Sequence, residues 1–399
     1  MQHAANKFLL FLGATGLLLA CGQQSSTPPA VASEESSQRT LSSAVVIIGH
    51  AGPTSGPIAH LGKDNENGAR LAIEELNAAG LVIGDKAVRL ELMTEDDGAD
   101  PKQGTAVAQK FIDSKVAGVI GHLNSGTTIP ASKLYSDAGV PQISPSATNP
   151  KYTRQGFKTA FRLVADDAHL GNTLGKYAVG TLKGKTIAVI DDRTAYGQGV
   201  ADEFSKAIIA TGAKIVAKEF TTDKATDFNA ILTTIKSKKP DIVFFGGMDA
   251  VAGPMLKQMH SLGISAKFMG GDGICSTELL KLGGDAIQDD QVFCAEAGGV
   301  EGEGKADMDA FKAKFKAKYG SDVQVYAPYV YDAVKLMVAA MVKAKSADPV
   351  KYLPVLAATT GFKGVTGSIS FDGKGDIKNG ALTLKTVRAG RFETLAVIR

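Results

Sequence analysis

Short, nearly unbroken apolar runs alternate along this chain with stretches of helical periodicity. Val45-Val46-Ile47-Ile48, Val116-Ala117-Gly118-Val119-Ile120, Thr186-Ile187-Ala188-Val189-Ile190 and Asp241-Ile242-Val243-Phe244-Phe245 lack the polar alternation of a half-exposed strand. Strands of that kind are covered on both faces, which predicts a parallel sheet between layers of helices. Amphipathic helices are predicted over roughly 67–79, 101–114, 170–182, 197–211, 228–238 and 253–262. Asp100-Pro101 supplies an N-cap followed by proline in the first turn. The βα alternation occurs twice, one set ending near Arg162 and the next starting near Asp166. Right-handed crossovers turn each set into an open α/β layer. The rhythm then changes. Helical patterns fill 305–319 and 326–344, and strands are predicted over 366–371, 381–387 and 392–398, with a tight turn at Asp372-Gly373-Lys374-Gly375-Asp376. Strands arriving this late predict a chain that crosses back between two layers, not a third domain.

The first 43 residues do not fit that pattern. Lys7 precedes an apolar run from Phe8 that closes on Leu18-Leu19-Ala20-Cys21. At roughly 13 residues the run is too short to span a bilayer and reads as a secretory signal peptide, residues 1–20. A cysteine directly after Leu-Leu-Ala resembles the bacterial lipobox, in which the thiol is acylated and Cys21 becomes the first mature residue. An ordinary signal with a chance cysteine is the other reading. Both take the protein out of the cytoplasm. Residues 21–43 continue as a Ser-, Gln- and Pro-rich segment with almost no large apolar side chains, a tether that cannot form a core. Its r.m.s. reach is on the order of 25 Å.

Composition narrows the function classes. Lys and Arg number 44 against 41 Asp and Glu, a formal net charge of +3, so no electrostatic footprint for nucleic acid exists. No apolar stretch beyond the signal reaches 18 residues, so no transmembrane helix is expected. The body from Ala44 to Arg399 is long enough for two lobes with separate cores. Its two cysteines, Cys275 and Cys294, make either a disulfide, as an exported protein permits, or two buried thiols.

Catalytic and cofactor signals are missing. Gly184-Lys185-Thr186 imitates a phosphate loop, but Gly180 is one residue too close and a strand follows where a helix is needed. No glycine fingerprint opens a helix after a strand, and no Gly-x-Ser-x-Gly elbow occurs. His50, His60, His122, His169 and His260 are scattered, with no pair at metal-ligand spacing. The chain is therefore read as a non-enzyme without cofactor or metal. What it offers is hydroxyl groups at strand ends. Gly121-His122-Leu123-Asn124-Ser125-Gly126-Thr127 runs from a strand through a polar turn into a helix, and Ser144-Pro145-Ser146-Ala147-Thr148 ends the next strand beside it. Helix N–H groups with Ser125 and Thr127 hydroxyls suit a carboxylate, at the sheet edge where ligands of open α/β layers collect. Ser125 and Thr148 would serve equally as helix caps.

Several segments together carry a resemblance. Ser55-Gly56-Pro57-Ile58-Ala59, Asn67-Gly68-Ala69-Arg70, Asp100-Pro101-Lys102-Gln103, Gly121-His122-Leu123, Ser144-Pro145-Ser146-Ala147-Thr148-Asn149-Pro150 and Asp372-Gly373-Lys374-Gly375-Asp376 resemble the leucine/isoleucine/valine-binding protein family, type I periplasmic binding proteins of ABC importers. The likeness runs from about Ala44 to Ile398. It implies two open α/β lobes joined by three hinge crossovers near Ala165, Gly298 and Gly364. Residues 44–165 and 299–364 would form lobe 1, and 166–298 and 365–399 lobe 2.

The resemblance also implies a ligand, a free aliphatic L-amino acid. Ser125 and Thr148 would hold its carboxylate, and the Ser146 carbonyl and Asp272 its ammonium. Tyr196 would pack over its backbone. Leu61, Met248 and Tyr326 would wall the side-chain pocket, and a flexible Leu/Met lining favours aliphatic groups. Asp272 stands where the family often has glutamate, one methylene longer. The family's disulfide near lobe 1 is absent, its positions matching Ala99 and Asn124, so a Cys275–Cys294 bridge would staple lobe 2 instead. The implied partners are an ABC permease and, through the lipid at Cys21, a membrane, with the protein a monomer in the periplasm or at the cell surface. A ligand-sensing subunit of a receptor or amide sensor is the alternative use of the same fold.

Overall fold

A computed structural model describes residues 42–302 and 304–399. The signal segment, Cys21 and most of the tether lie outside the described residues. Strands β1 (Ser42–Gly52), β2 (Val82–Ile83), β3 (Lys86–Asp96), β4 (Gly118–Ile120), β5 (Gln142–Ser144) and β6 (Ala160–Arg162) form one sheet in the order β2-β3-β1-β4-β5-β6. A second sheet has the order β15-β14-β11-β10-β9-β7-β8. Its strands are β7 (Thr186–Asp191), β8 (Lys214–Phe220), β9 (Ile242–Gly246), β10 (Lys267–Gly270) and β11 (Val292–Ala297), then β14 (Leu382–Arg388) and β15 (Arg391–Ile398). Between them in sequence, β12 (Phe362–Gly364) and β13 (Gly367–Ile369) make a separate hairpin. Within the two large sheets pairing is parallel except at β2–β3, β11–β14 and β14–β15.

The helices are α1 (Ala59–Ala78), α2 (Pro101–Asp113), α3 (Ser125–Asp137), α4 (Asp167–Gly180), α5 (Ala195–Ala210), α6 (Asn229–Lys238), α7 (Asp249–Ser261), α8 (Thr277–Gly283), α9 (Gly304–Tyr319), α10 (Ala327–Lys343) and α11 (Pro349–Ala357). As the continuous apolar runs require, β4, β9 and nearly all of β7 are buried along their length. Asp100 caps α2 by accepting the N–H groups of Lys102 and Gln103. Among the described residues no helix is long and apolar enough to cross a membrane.

Three departures from the sequence pattern have physical causes. α1 begins eight residues before the expected Asn67, because beside Leu61 its first turns bury the small or polar Gly62, Asp64 and Asn65, which break the apolar pattern. Close approach explains the small residues: a Cβ on Gly68 would sit 2.5 Å from the Ala327 carbonyl oxygen, so glycine lets α10 start directly against α1. β3 pairs with β1 over its whole length, yet its Arg, Glu and Thr residues hide it from an apolar-run search.

The third departure concerns the last passage between the sheets. It lies at about 378–382, later than the Gly364 expected from the resemblance. Residues after β13 still pack on the first sheet: Phe371 tilts against Phe161 with ring centroids 5.0 Å apart, and Asp376 bridges in parallel to Arg162 of β6. Only from Leu382 does the chain pair with β11. The hairpin stays because buried Asp332 of α10 accepts the N–H groups of Val365 and Thr366. The other two passages fall between β6 and α4, and between β11 and α9.

Cys275 and Cys294 are disulfide-bonded, with Cα atoms 5.7 Å apart, tying the turn after β10 to β11. A loop of this length implies that replacing both by serine costs roughly 3 kcal/mol, read as a lower midpoint in urea unfolding. An unchanged midpoint would show that the second sheet does not depend on the staple.

Candidate functional site

Both strand orders reverse direction beside their first strands, and open α/β sheets gather ligands at the carboxyl ends of such switch points. In the first sheet the switch lies between β1 and β4. The turn after β4 is fixed from below by a buried chain: Asp97 Oδ2 lies 2.8 Å from His122 Nδ1, and His122 Nε2 lies 3.0 Å from the Tyr135 hydroxyl. The His122 carbonyl in turn accepts the hydroxyls of Thr128 and Ser144. α3 then starts at Ser125, its positive dipole end facing the junction of the two loops.

Ser125 and the 144–150 loop do meet. The Ser125 hydroxyl accepts the Asn149 N–H at 3.2 Å, and the Ser146 hydroxyl donates to the Leu123 carbonyl at 2.9 Å. Neither Ser125 nor Thr148 caps a helix: Asn124 precedes α3 without a side-chain cap, and Asp166 caps α4. The Thr148 hydroxyl is buried and has no hydrogen-bond partner. Thr127 belongs elsewhere, correcting the sequence reading. Its hydroxyl turns back to the Asn124 carbonyl, and a Cβ on Gly104 of α2 would lie 2.9 Å from its own Cβ.

Arg162 holds this loop from behind. Its guanidinium is fully buried and donates to the carbonyls of Ala147 (3.2 Å) and Asn149 (2.9 Å), to Thr153 (3.0 Å) and to Asp376.

The second switch point lies between β7 and β9, and Tyr196 and Met248 follow those strands. Asp272 follows β10 and is buried. Its two oxygens are claimed from two directions: Oδ1 accepts the Tyr196 hydroxyl at 2.8 Å, and Oδ2 accepts the Tyr326 hydroxyl at 2.7 Å, across from the first half of the molecule. Burial raises the Asp272 pKa above the ordinary carboxylate value, and the two tyrosine bonds offset part of that rise. Burial likewise lifts both tyrosines well above their usual range.

A residue that the sequence reading missed positions Tyr326. Asp64 of α1 accepts the N–H groups of Gln324 (2.9 Å), Val325 (3.3 Å), Tyr326 (3.2 Å) and Ala327 (2.9 Å), capping the start of α10 from outside it. Burial pushes its pKa up to about 6 against those four bonds. An acidic residue on the buried side of an amphipathic helix was the available signal.

Two cavities lie at this junction. A gap of ≈ 10 Å³, lined by residues including Ser125, Ser146, Tyr196, Met248 and Tyr326, occupies the polar end. A larger cavity of ≈ 430 Å³ shares Asn124, Tyr196 and Met248 with it. Its walls include the buried apolar residues Ile58 and Val251, and the exposed Arg193 and Lys224. Leu61 lines neither; it is buried in the same apolar cluster as Tyr196, Met248 and Tyr326, one turn beyond Ile58. Thr148 and Asp272 are likewise outside both linings.

The two halves also touch beside the site. His60 Nε2 of α1 lies 2.7 Å from Asp249 Oδ2 at the start of α7, and the Ser276 hydroxyl donates to the same oxygen. Asn149 donates to the Ala195 carbonyl at 2.6 Å.

Residues 45–391 match the family model described as periplasmic binding protein. The chain is 39% identical over 335 residues to Leu/Ile/Val-binding protein homolog 1 of Brucella abortus, covering 84% of this chain and 88% of that protein. It is 38% identical over 329 residues to the leucine-, isoleucine-, valine-, threonine- and alanine-binding protein of Pseudomonas aeruginosa, covering 82% and 86%. Among solved structures, the branched-chain amino acid transporter substrate binding protein of Streptococcus pneumoniae, in complex with isoleucine, superposes with a TM-score of 0.81 at 29% identity, covering 89% of this chain and 99% of that one. A leucine binding protein from Thermotoga maritima gives 0.80 at 25% identity, covering 88% and 98%.

The His60–Asp249 contact joins the halves without belonging to the core of either. A half-buried polar pair of this kind contributes about 1 kcal/mol. His60→Gln should therefore loosen the contact between the halves, seen as a larger radius of gyration in small-angle scattering, while the thermal midpoint changes little. A scattering curve identical to wild type would show that the pair does not hold the halves together.

Proposed function

The chain belongs to the periplasmic binding protein family, and on that premise we propose that it captures a free aliphatic L-amino acid between its two halves and delivers it to an ABC importer. The observation that carries this reading is the division of charge at the junction. Ser125, Thr148 and the N-terminus of α3 offer donors on one half, while the Asp272 carboxylate sits on the other. A zwitterion satisfies both ends at once, each charge-assisted bond in a dry cleft being worth roughly 1.5–3 kcal/mol. In this reading the Ser146 carbonyl shares the ammonium, Tyr196 covers the ligand backbone, and Met248, Tyr326 and Leu61 shape the side-chain end. The ≈ 430 Å³ cavity offers an apolar side chain Ile58, Met248 and Val251 among its buried walls, beside Tyr196 and the Asp192 carboxylate. The relatives named for leucine, isoleucine and valine binding support the same class.

The polar end is nearly closed. A gap of ≈ 10 Å³ has room for about one water. An amino acid therefore enters with the halves apart, and the bonds it makes to both draw them together. The three passages between the sheets, at 162–167, 297–304 and about 378–382, are the proposed hinges.

Calorimetry tests the reading with a panel of amino acids and the matching decarboxylated amines. Leucine, isoleucine or valine should bind and the amines should not. Asp272→Asn keeps the shape but removes the counter-charge, and should cost about 2–4 kcal/mol, roughly 30- to 1000-fold in Kd. Amines binding as well as amino acids would refute the carboxylate site, and an unchanged Asp272→Asn variant would refute the ammonium assignment.

The reading extends to the N-terminus: acylated Cys21 and the following tether would hold the body at a membrane, within reach of the permease. Mass spectrometry of the membrane fraction should find a diacyl or triacyl modification on Cys21 and none in Cys21→Ala. An unmodified wild-type N-terminus would refute the anchor.

A further inference from the structure

Six large apolar side chains are exposed among the described residues, and four of them, Val45, Val82, Val342 and Val350, gather at one pole. This pole is the amino-end edge of the first sheet. β1 begins there at Ser42, which pairs with Lys86 at the start of β3, and Val82 of β2 pairs with Ala87 beside it. The end of α10 abuts the turn that joins β2 to β3: a Cβ on Gly84 would lie 2.8 Å from the Lys345 carbonyl oxygen. α11 follows α10 after a short turn, and its Tyr352 hydroxyl donates to the Ala117 carbonyl, just before β4, at 2.7 Å. Val350, in the first turn of α11, is 78% exposed.

Lysines accompany these valines. Lys86, Lys115, Lys343, Lys345 and Lys351 are exposed, and none takes part in an ion pair among the described residues. The acidic groups at the same pole are Asp85, Asp113 and Asp348, of which Asp113 accepts the Gln109 amide and Asp348 caps α11. Lys133 and Asp137, at the end of α3, pair with each other. Helix dipoles account for lysines at the ends of α2 and α10. They do not account for bare valines, which are ordinary when scattered singly and informative when gathered. The far pole supplies the contrast. The carboxyl ends of both sheets meet at the junction, so the amino ends of the second sheet point the other way. Lys236, Lys238 and Lys239 are exposed there at the end of α6, but Ile209 alone stands with them as a bare large apolar side chain among the described residues.

We propose that the pole carrying Val45, Val82, Val342 and Val350 is a docking face for a membrane of anionic phospholipid. Where the chain goes selects this occupant. The residues before Ser42 join the body at this pole, so an acylated Cys21 on a tether with a reach on the order of 25 Å brings this face to the bilayer, and not the far one. The inference takes from the anchor reading above only this nearness to a membrane. The lysine ammonium groups meet lipid phosphates, an attraction that adds from residue to residue and that salt screens. The valines enter the boundary between headgroups and acyl chains, where apolar area is buried. Docked in this way, the first sheet turns its amino ends to the lipid, and the edge that carries Ser125 and Ser146 faces away, towards ligand arriving from solution.

Labelling with a water-soluble amine-acylating reagent, read lysine by lysine by mass spectrometry, tests the face. The acylated chain recovered from membranes is placed in vesicles of phosphatidylcholine, with or without phosphatidylglycerol, and in detergent. Phosphatidylglycerol should slow the labelling of Lys86, Lys115, Lys343, Lys345 and Lys351 about 5- to 10-fold, and high salt should restore the rates. Lys236, Lys238 and Lys239 should react alike in both vesicles. Lys343→Glu combined with Lys351→Glu should abolish the slowing at Lys86 and Lys115. Equal rates for the wild type in the two vesicles, or slowing at Lys236, Lys238 and Lys239 instead, overturns the proposal. Slowing already present in detergent assigns the face to the chain's own tether or to a second copy, and overturns it as well. A chain whose Cys21 carries no lipid is added to the same vesicles: slowing at the same lysines then keeps the docking face and removes the anchor, and its absence removes both.

Discussion

A carboxylate buried where the two halves meet is the constraint around which this molecule is arranged. Asp272 cannot remain charged and dry without donors, and it takes one from each side, Tyr196 from its own half and Tyr326 from the other. The second of these bonds joins the two halves. Its geometry is set at a distance: Asp64 on α1 gathers four successive N–H groups at the start of α10 and so fixes where Tyr326 stands. α1 can reach that start because Gly68 admits the Ala327 carbonyl. Packing of two helices thus determines the approach of one hydroxyl to one carboxylate.

The donor side of the junction depends on a different buried charge. Arg162 sits at the end of β6, where the chain is about to leave the first sheet, and spends its N–H groups on the loop carrying Ser146 and Thr148 and on Asp376 of the returning segment. Loop and return strand are consequently one unit. Removing either partner would strand a buried charge, a penalty of about 3–5 kcal/mol in comparable cases. The loop does not fold over the site on its own propensity; it is held there by a brace from beneath, just as His122, Asp97 and Tyr135 hold the neighbouring turn.

The sequence exposes this architecture unevenly. Continuous apolar strands, the Asp100-Pro101 start of α2 and the two βα sets can be read directly, because burial on both faces leaves an unmistakable pattern. The residues that set the site cannot be found by periodicity. Asp64, Asn65 and Gly62 make the first turns of α1 look polar although they face inward, and β3 carries too many charged residues to register as a strand. Asp332 keeps the β12–β13 hairpin on the first half, a long-range contact that moves the last passage to about 378–382 and that no local signal announces. Thr127 and Ser125 differ in which way they point from the first turn of one helix, and pattern alone put both at the ligand. Tyr326 was legible as a pocket wall; its bond to Asp272 was not, since the two are 54 residues apart in sequence and on opposite halves.

These features have a common energetic logic. Each half buries its own strands, and one apolar cluster runs through both, with Leu61 and Tyr326 on one side and Tyr196 and Met248 on the other. The hydrogen bonds that cross the junction include Tyr326 to Asp272, His60 to Asp249, Thr277 to Gln324 and Asn149 to the Ala195 carbonyl. Directional contacts of about 1 kcal/mol each fix the register of the halves against that apolar surface. Under the proposed function, a zwitterion would add one charge-assisted contact to each half at the centre of this junction, beyond the apolar surface the halves already share.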